Sequence, residues 1–407
     1  MRLHERLAEL ATLGATPEGI DRPLFSAAER AARERFAGWA REAGLRVEQD
    51  RAGNVFARLD GERDGPPVQC GSHLDTVKNG GAYDGAYGVV GGMEAIARIA
   101  ASGTRPQRPL EVVAWAGEEG SRFPLGCLGS SVYAGLTPID EALALVADDG
   151  ETFASAIAGP SGLLAGVPVR DGFPPPAAYV ELHIEQGPVM ERMGVRLGVV
   201  TAIAGQRRLR VVVDGEAGHA GTVPMDQRTD ALCAASELVL AVEAAGRAAG
   251  DAVATVGRLE VDPNQTNIVP GRVTFRVDAR SIEDARVEAI EAALRERARG
   301  VERERRVRVT IEMLESRSAV PMDGRIRTAV RKVCDALVPH AIDIPSGAGH
   351  DAMCVAHVAP TAMIFVPSIG GRSHVGSERT APADLELGVE ALRLTLEATA
   401  NAVHDSF

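Results

Sequence analysis

The sequence predicts an α/β protein in which a sheet-and-helix domain is interrupted by a smaller ferredoxin-like α+β domain, and three patterns carry that expectation. Between residues 54 and 116, short apolar runs and a small-residue helix follow in the order strand, loop, helix, strand, which reads as a parallel sheet covered by helices. From about residue 207, strands of alternating polar and apolar residues follow the order β-α-β-β-α-β. After Pro321 the apolar pattern of the first part resumes, so the second domain is an insertion. Its joints fall near Ala204–Gly205 and Ser318–Pro321, which divides the chain into 1–205 with 320–407 and an inserted 206–319.

The elements follow in order. Ser26-x-x-Glu29 is a capping box, and the segment it opens closes on Gly44, so it forms a helix. The runs 54–59 (NVFARL), 67–71 (PVQCG) and 110–116 (LEVVAWA) are strands, with a helix over Ala86–Ala101 between the last two. In the insert, a strand beginning at 207 (RRLRVVVDGE) precedes a helix over Asp226–Gly246. Strands Ala252–Val261 and Gly271–Arg280, a helix Ile282–Ala298 and a strand Arg306–Leu314 complete it. TAMIFVP at 361–367 is a further buried strand. Active residues of such sheets collect in loops at the carboxyl ends of strands.

Composition narrows the function. With 407 residues, 45% hydrophobic and 25% charged, the chain has apolar material for a large core and length for two domains. A net charge of -12 repels phosphate backbones, which argues against a nucleic-acid partner. Five scattered cysteines (70, 127, 233, 334 and 354) include no CxxC pair, so reduced thiols are expected. MRLHERLAEL has no apolar core followed by a cleavage site, and no run approaches about 18 apolar residues. A cytoplasmic protein without a membrane span is expected.

Of nine histidines, His4, His340, His357 and His404 stand in anonymous contexts and are read as ordinary surface or core residues. His73, His183 and His374 instead sit beside glycines and acids: Gly71-Ser72-His73-Leu74-Asp75, Glu181-Leu182-His183-Ile184-Glu185 and Ser373-His374. Singly, each is more often structural than a ligand. Together with Tyr83-Asp84-Gly85 and Gly117-Glu118-Glu119-Gly120 they form a metal-binding set. In His73-x-Asp75 the carboxylate can accept the second ring N–H of the imidazole and fix its tautomer. Asp84, short and flanked by glycine, suits a carboxylate bridging two cations. Glu118 and Glu119, adjacent at a strand end, point apart, so one can bind metal while the other serves as base. Two cations about 3.5–4 Å apart bring the pKa of a shared water down to about 7, and a base then removes an already labile proton. Nitrogen and carboxylate donors without thiolate suit zinc, manganese or cobalt.

GSHLDTV, NGGAYDG, AGEEGSRFPLGCLGS, ELHIEQGP, GHAGTVPMD and SGAGHDA occur in that order over about residues 71 to 378. The ordered set resembles the hydantoinase/carbamoylase amidases of the M20 metallopeptidase superfamily, which include N-carbamoyl-L-amino-acid hydrolases, β-ureidopropionases and allantoate amidohydrolases. HIEQGP separates this group from ordinary M20 exopeptidases, which place an acid where His183 stands. The resemblance implies a mixed-sheet M20-type catalytic domain with an inserted dimerisation and lid domain, and hence a homodimer. It implies that His73, Asp84 and His183 hold one divalent metal and Asp84, Glu119 and His374 a second. Glu118 would be the general base, Asp75 the orienter of His73, and His219 the group that polarises the scissile carbonyl. Asn267 and Arg280 would bind the substrate carboxylate, Arg280 bidentately, while Gln186 and Gly349 would contact the substrate.

With metal and Arg280 on different domains, hinge closure near Gly205 and Ala319–Pro321 is expected. The implied chemistry is hydrolysis of a ureido C–N bond in a small carboxylate-bearing substrate. VKNGG, AGQRR, HAGTVPM and SAVPMD favour allantoate, giving ureidoglycine, ammonia and carbon dioxide. N-carbamoyl-L-amino acids or β-ureidopropionate are the alternative, and dipeptides a more remote one.

Overall fold

Four strands are buried along their whole length: Leu110–Trp115, Val68–His73, Ala178–Ile184 and Thr361–Val366. Strands covered on both faces need no polar alternation, and continuous apolar runs such as LEVVAW and TAMIFV satisfy that condition. In the computed structural model, which describes residues 2–172 and 174–402, these four lie side by side in that order and run parallel. His404 lies outside the described residues. The sheet as a whole is mixed, as the resemblance implies. Val55–Leu59 joins Leu110–Trp115 antiparallel and carries Arg46–Gln49 beyond it, and Gly198–Ile203 joins Thr361–Val366 antiparallel at the other side. The expected strand–loop–helix–strand order holds, and the antiparallel flanks come from strands whose weaker patterns gave no direction.

One core lies among the sheet and the helices Ala86–Ala101, Gly324–Leu337 and Pro382–Ala400, with Val90, Met93, Ile96, Leu182, Ile364, Val389 and Leu392 at its centre. The helix Ala86–Ala101 approaches the sheet closely because glycine faces it. A Cβ at Gly88 would stand 2.5 Å from the Leu182 carbonyl oxygen and 2.6 Å from the Ser72 Cβ. The helix Ala27–Glu42 is capped as its sequence foretells: the Ser26 side chain accepts from the Glu29 amide. Glu29 returns its bond to the Phe25 amide at 3.0 Å, one residue earlier than the simplest box, and also pairs with buried Arg33 at 2.7 Å.

The chain forms two compact units, one running to Thr201 and resuming at Met322, the other Ala202–Pro321. The second has the sheet order Arg308–Arg317, Gly205–Asp214, Arg272–Ser281, Val253–Asp262, every pair antiparallel. Helices Ala231–Ala248 and Asp284–Arg305 share a core with it around Val211, Phe275, Leu238 and Leu294. The first of these helices starts later than Asp226 because the Asp230 side chain caps it through the amides of Leu232 and Cys233. The second runs past Ala298 to Arg305 because Val301 continues its buried stripe. Among the described residues no cysteine is joined in a disulfide and no helix is long and apolar enough to cross a membrane.

Gly88→Val is expected to destabilise the protein by about 3 kcal/mol or more, because two backbone-facing methyl groups would wedge the helix off the strands that carry His73 and His183. Denaturant unfolding checks this, and an unchanged midpoint would contradict the close approach.

Candidate metal centre

Parallel strands end on one edge, and the chemistry-bearing residues follow those ends. His73 is the last residue of its strand, His183 the last but one of its own, and Glu118–Glu119 come three and four residues after Trp115. His374 arrives on the loop beyond Thr361–Val366. Asp84 precedes the helix Ala86–Ala101 and enters from the loop after the His73 strand. These residues, up to 301 positions apart in sequence (374 − 73), form one cluster because adjacent strands share an edge.

Asp84 lies at its centre. Its Oδ1 is 3.5 Å from His73 Nε2 and 3.3 Å from His183 Nε2, while its Oδ2 is 3.2 Å from His374 Nε2. His374 Nε2 is also 3.6 Å from Glu119 Oε2, and Glu118 Oε2 is 3.7 Å from His73 Nε2. Two triads, His73–Asp84–His183 and Asp84–Glu119–His374, thus bring ligand atoms within 4.8 Å of one another and share one carboxylate. All but His374 are largely buried; its side chain is 51% exposed and marks the open side.

The imidazoles are held from behind. His183 Nδ1 is 2.9 Å from the Ile184 carbonyl oxygen, and His73 Nδ1 is 3.0 Å from that of Asp75. This differs from the expected carboxylate–imidazole bond, because the Asp75 carboxylate stands 3.6 Å away and is engaged elsewhere. Its two oxygens accept the backbone amides of Glu118 and Glu119, each at 3.2 Å. Asp75 therefore fixes the turn that aims the two glutamates apart. Close packing fixes the rest: Gly85 has φ +62, and a Cβ there would stand 2.4 Å from the His73 ring.

The electrostatics describe a site short of positive charge. Burial raises Glu118 and carries Glu119 well above the ordinary carboxylate range, Asp84 adding to both. Burial would also raise Asp84, but hydrogen bonds from His183, His374 and His73 hold it well below that range. Burial opposes charge on His73 and His183, yet Asp84 and the neighbouring acids raise both; His374 is raised first by its bond to Asp84. Protons on imidazole here supply charge that a cation would otherwise supply. The donor set fits divalent metal on a second count: Gln186 Oε1 is buried without a partner among the described residues, beside Asp84.

Gln186, expected at the substrate, donates from Nε2 to Asp84 Oδ2 at 2.8 Å and to Ser373 Oγ at 3.2 Å. Gly349 precedes His350, and a Cβ added to it would meet only Met353 Sδ, at 3.8 Å, so internal packing does not demand glycine there. In the second unit, the pairing of Gly218–His219 with Ile268–Val269 brings His219 and Asn267 together, both exposed. Arg280 lies at the far end of the strand Arg272–Ser281, its fork on Asp278 at 2.8 and 3.1 Å.

Glu378 escaped the sequence reading. Fully buried, it accepts the amides of Tyr83 at 2.8 Å and Asp84 at 3.1 Å and takes a bond from Ser373, so it pins the Asp84 loop. An acid in a loop, almost 300 residues from the amides it accepts, leaves no periodic signal. Buried Glu181, on the strand Ala178–Ile184, likewise takes a distant partner, accepting from Ser72 at 2.7 Å.

Residues 70–398 match peptidase family M20/M25/M40. N-carbamoyl-L-amino acid amidohydrolase of Geobacillus stearothermophilus is 39% identical over 404 residues, covering 97% of each chain. Allantoate amidohydrolase of Escherichia coli is 38% identical over 399 residues, covering 97% of this chain and 96% of that one. A hydantoinase/carbamoylase-family amidase from Burkholderia multivorans superposes with a TM-score of 0.92 at 39% identity, covering 98% of each chain. The chain belongs to the peptidase M20 family, among its hydantoinase/carbamoylase amidases.

Replacing Glu378 with alanine is expected to weaken divalent-metal binding about 10–100-fold while the ligands remain. Asp84→Asn should remove binding at both triads. Competition with a chromogenic chelator measures each, and wild-type affinity in Glu378→Ala would exclude a role for the pinned loop.

Proposed function

We propose that this chain is an amidohydrolase that cleaves the ureido C–N bond of a small carboxylate-bearing substrate, allantoate first among them. The observation that carries the reading is Asp84, whose two oxygens face different imidazoles and so offer a bridge between two divalent ions. Zinc, manganese or cobalt on these donors would supply a Lewis acid for the carbonyl and a water whose proton is labile near neutral pH. Glu118 stands outside the two triads that share Asp84, though it forms a further cluster with His73 and Glu119. It takes a proton from the attacking water and returns it to the departing nitrogen.

His219 accepts the Gly221 amide at Nδ1, 3.0 Å away, which assigns the proton of the neutral ring to Nε2. That N–H donates to the carbonyl oxygen as charge develops there. Arg280 offers the substrate carboxylate the fork that Asp278 now holds.

Distance within the second unit supports a homodimer. His219 and Asn267 adjoin one end of the strand Arg272–Ser281 and Arg280 the other. Eight residues of strand span roughly 27 Å at about 3.4 Å each. No small ureido acid bridges that, so the two groups serve different active sites, one of them in a partner copy.

VKNGG, AGQRR, HAGTVPM and SAVPMD support allantoate. The 39% identity to an N-carbamoyl-L-amino acid amidohydrolase favours the second reading, hydrolysis of N-carbamoyl-L-amino acids. Ammonia release from allantoate, N-carbamoyl-L-amino acids and other ureido acids, with dipeptides as a control, decides between them. Turnover of dipeptides alone would sink both.

Glu118→Gln should lower kcat by about 10²–10⁴-fold with bound metal unchanged; full turnover would remove Glu118 as the base. Arg280→Lys keeps the charge and loses the fork, so KM should rise about tenfold or more, and an unchanged KM would place the carboxylate elsewhere.

A further inference from the structure

The loop after Glu119 turns back and returns the chain to the strand end it left. Three backbone bonds close it: Cys127 N to Glu118 O at 2.8 Å, Leu128 N to Gly117 O at 3.1 Å, and Gly129 N to Ala116 O at 2.7 Å. The approach is tight, since a Cβ on Gly129 would stand 2.7 Å from the Ala116 nitrogen. Cys127 is held there in the left-handed region, φ 54 and ψ 36, a conformation costing a side-chain-bearing residue about 1–2 kcal/mol. It is fully buried, and its Sγ lies 3.3 Å from Glu118 Oε1. The sulfur is also in contact with Cys354, from the helix Asp351–Val355; that contact, burial and the charge of Glu118 keep Cys127 a thiol, and its one hydrogen goes to the carboxylate, the stronger of the two acceptors.

A carboxylate has a broad, roughly two-fold torsion about its last bond, so an unrestrained Glu118 exchanges its oxygens freely. We propose that Cys127 is a positioning residue for the reaction: its S–H holds Glu118 Oε1 and commits Oε2, the oxygen facing His73, to proton transfer. Strain at Cys127 is the conformational cost of bringing a donor to that one oxygen. The inference rests on Glu118 as general base.

The test compares wild type with Cys127→Ser, Cys127→Ala and Cys127→Gly in the metal-loaded enzyme, measuring kcat, KM, bound metal and melting temperature on the best ureido acid. Ala and Gly lose the donor, and kcat should fall about tenfold, as for loss of a hydrogen bond to a charged acceptor, with KM and metal content unchanged. Ser retains a donor and should stay within about threefold of wild type. Glycine adopts the left-handed backbone without strain, so it separates a folding defect in Cys127→Ala from the missing donor. Wild-type kcat in both Ala and Gly, or Ser as slow as Ala, overturns the proposal. If Glu118→Gln is inactive while Cys127→Ala and Cys127→Gly turn over normally, only the role of Cys127 falls. If Glu118→Gln is fully active, the general base and the role of Cys127 fall together.

Discussion

A carboxylate surrounded by three imidazoles, with three further carboxyl groups close by, is stable out of water only if positive charge is brought to it. Asp84 is that carboxylate, and the rest of the centre is arranged around it. Its two oxygens face opposite ways, so whatever balances them comes in two portions. Burial forces the choice: the acids must bind protons or cations, and the histidines are positioned to share either.

Holding an acid in so unfavourable a setting requires rigid surroundings, and the chain provides them through backbone contacts. Glu378 takes the amides that begin the Asp84 turn, Asp75 takes those of the two glutamates, and Gly85 lets the turn lie against the His73 ring. Of seven non-glycine residues with positive φ among the described residues, Cys127, Gln186 and His374 all touch this cluster. Strain gathers where geometry is most tightly specified. The parallel strands beneath provide the stability that offsets it.

The inserted unit answers a different need. Its antiparallel sheet is covered by helices on one face, so charged residues such as Arg208, Arg210 and Arg276 stand on strands that alternate in burial. That leaves the ends of strands free to carry Arg280 at one extremity and the His219–Asn267 pair at the other. The groups proposed to meet substrate belong to this unit, and the candidate metal ligands all belong to the first.

Periodicity and local chemistry were enough to reveal the alternation of strand and helix, the β-α-β-β-α-β order of the insert and the acid- and histidine-bearing strand ends, because each depends on residues within a few positions of one another. Motif order revealed the family for the same reason. Strand direction at the sheet flanks, the acceptor of the His73 ring proton, the pinning by Glu378 and the thiol beneath Glu118 were decided only by tertiary structure. Each joins residues whose separation in sequence is unrelated to their separation in space, or turns on a backbone oxygen that every residue carries and no motif can mark.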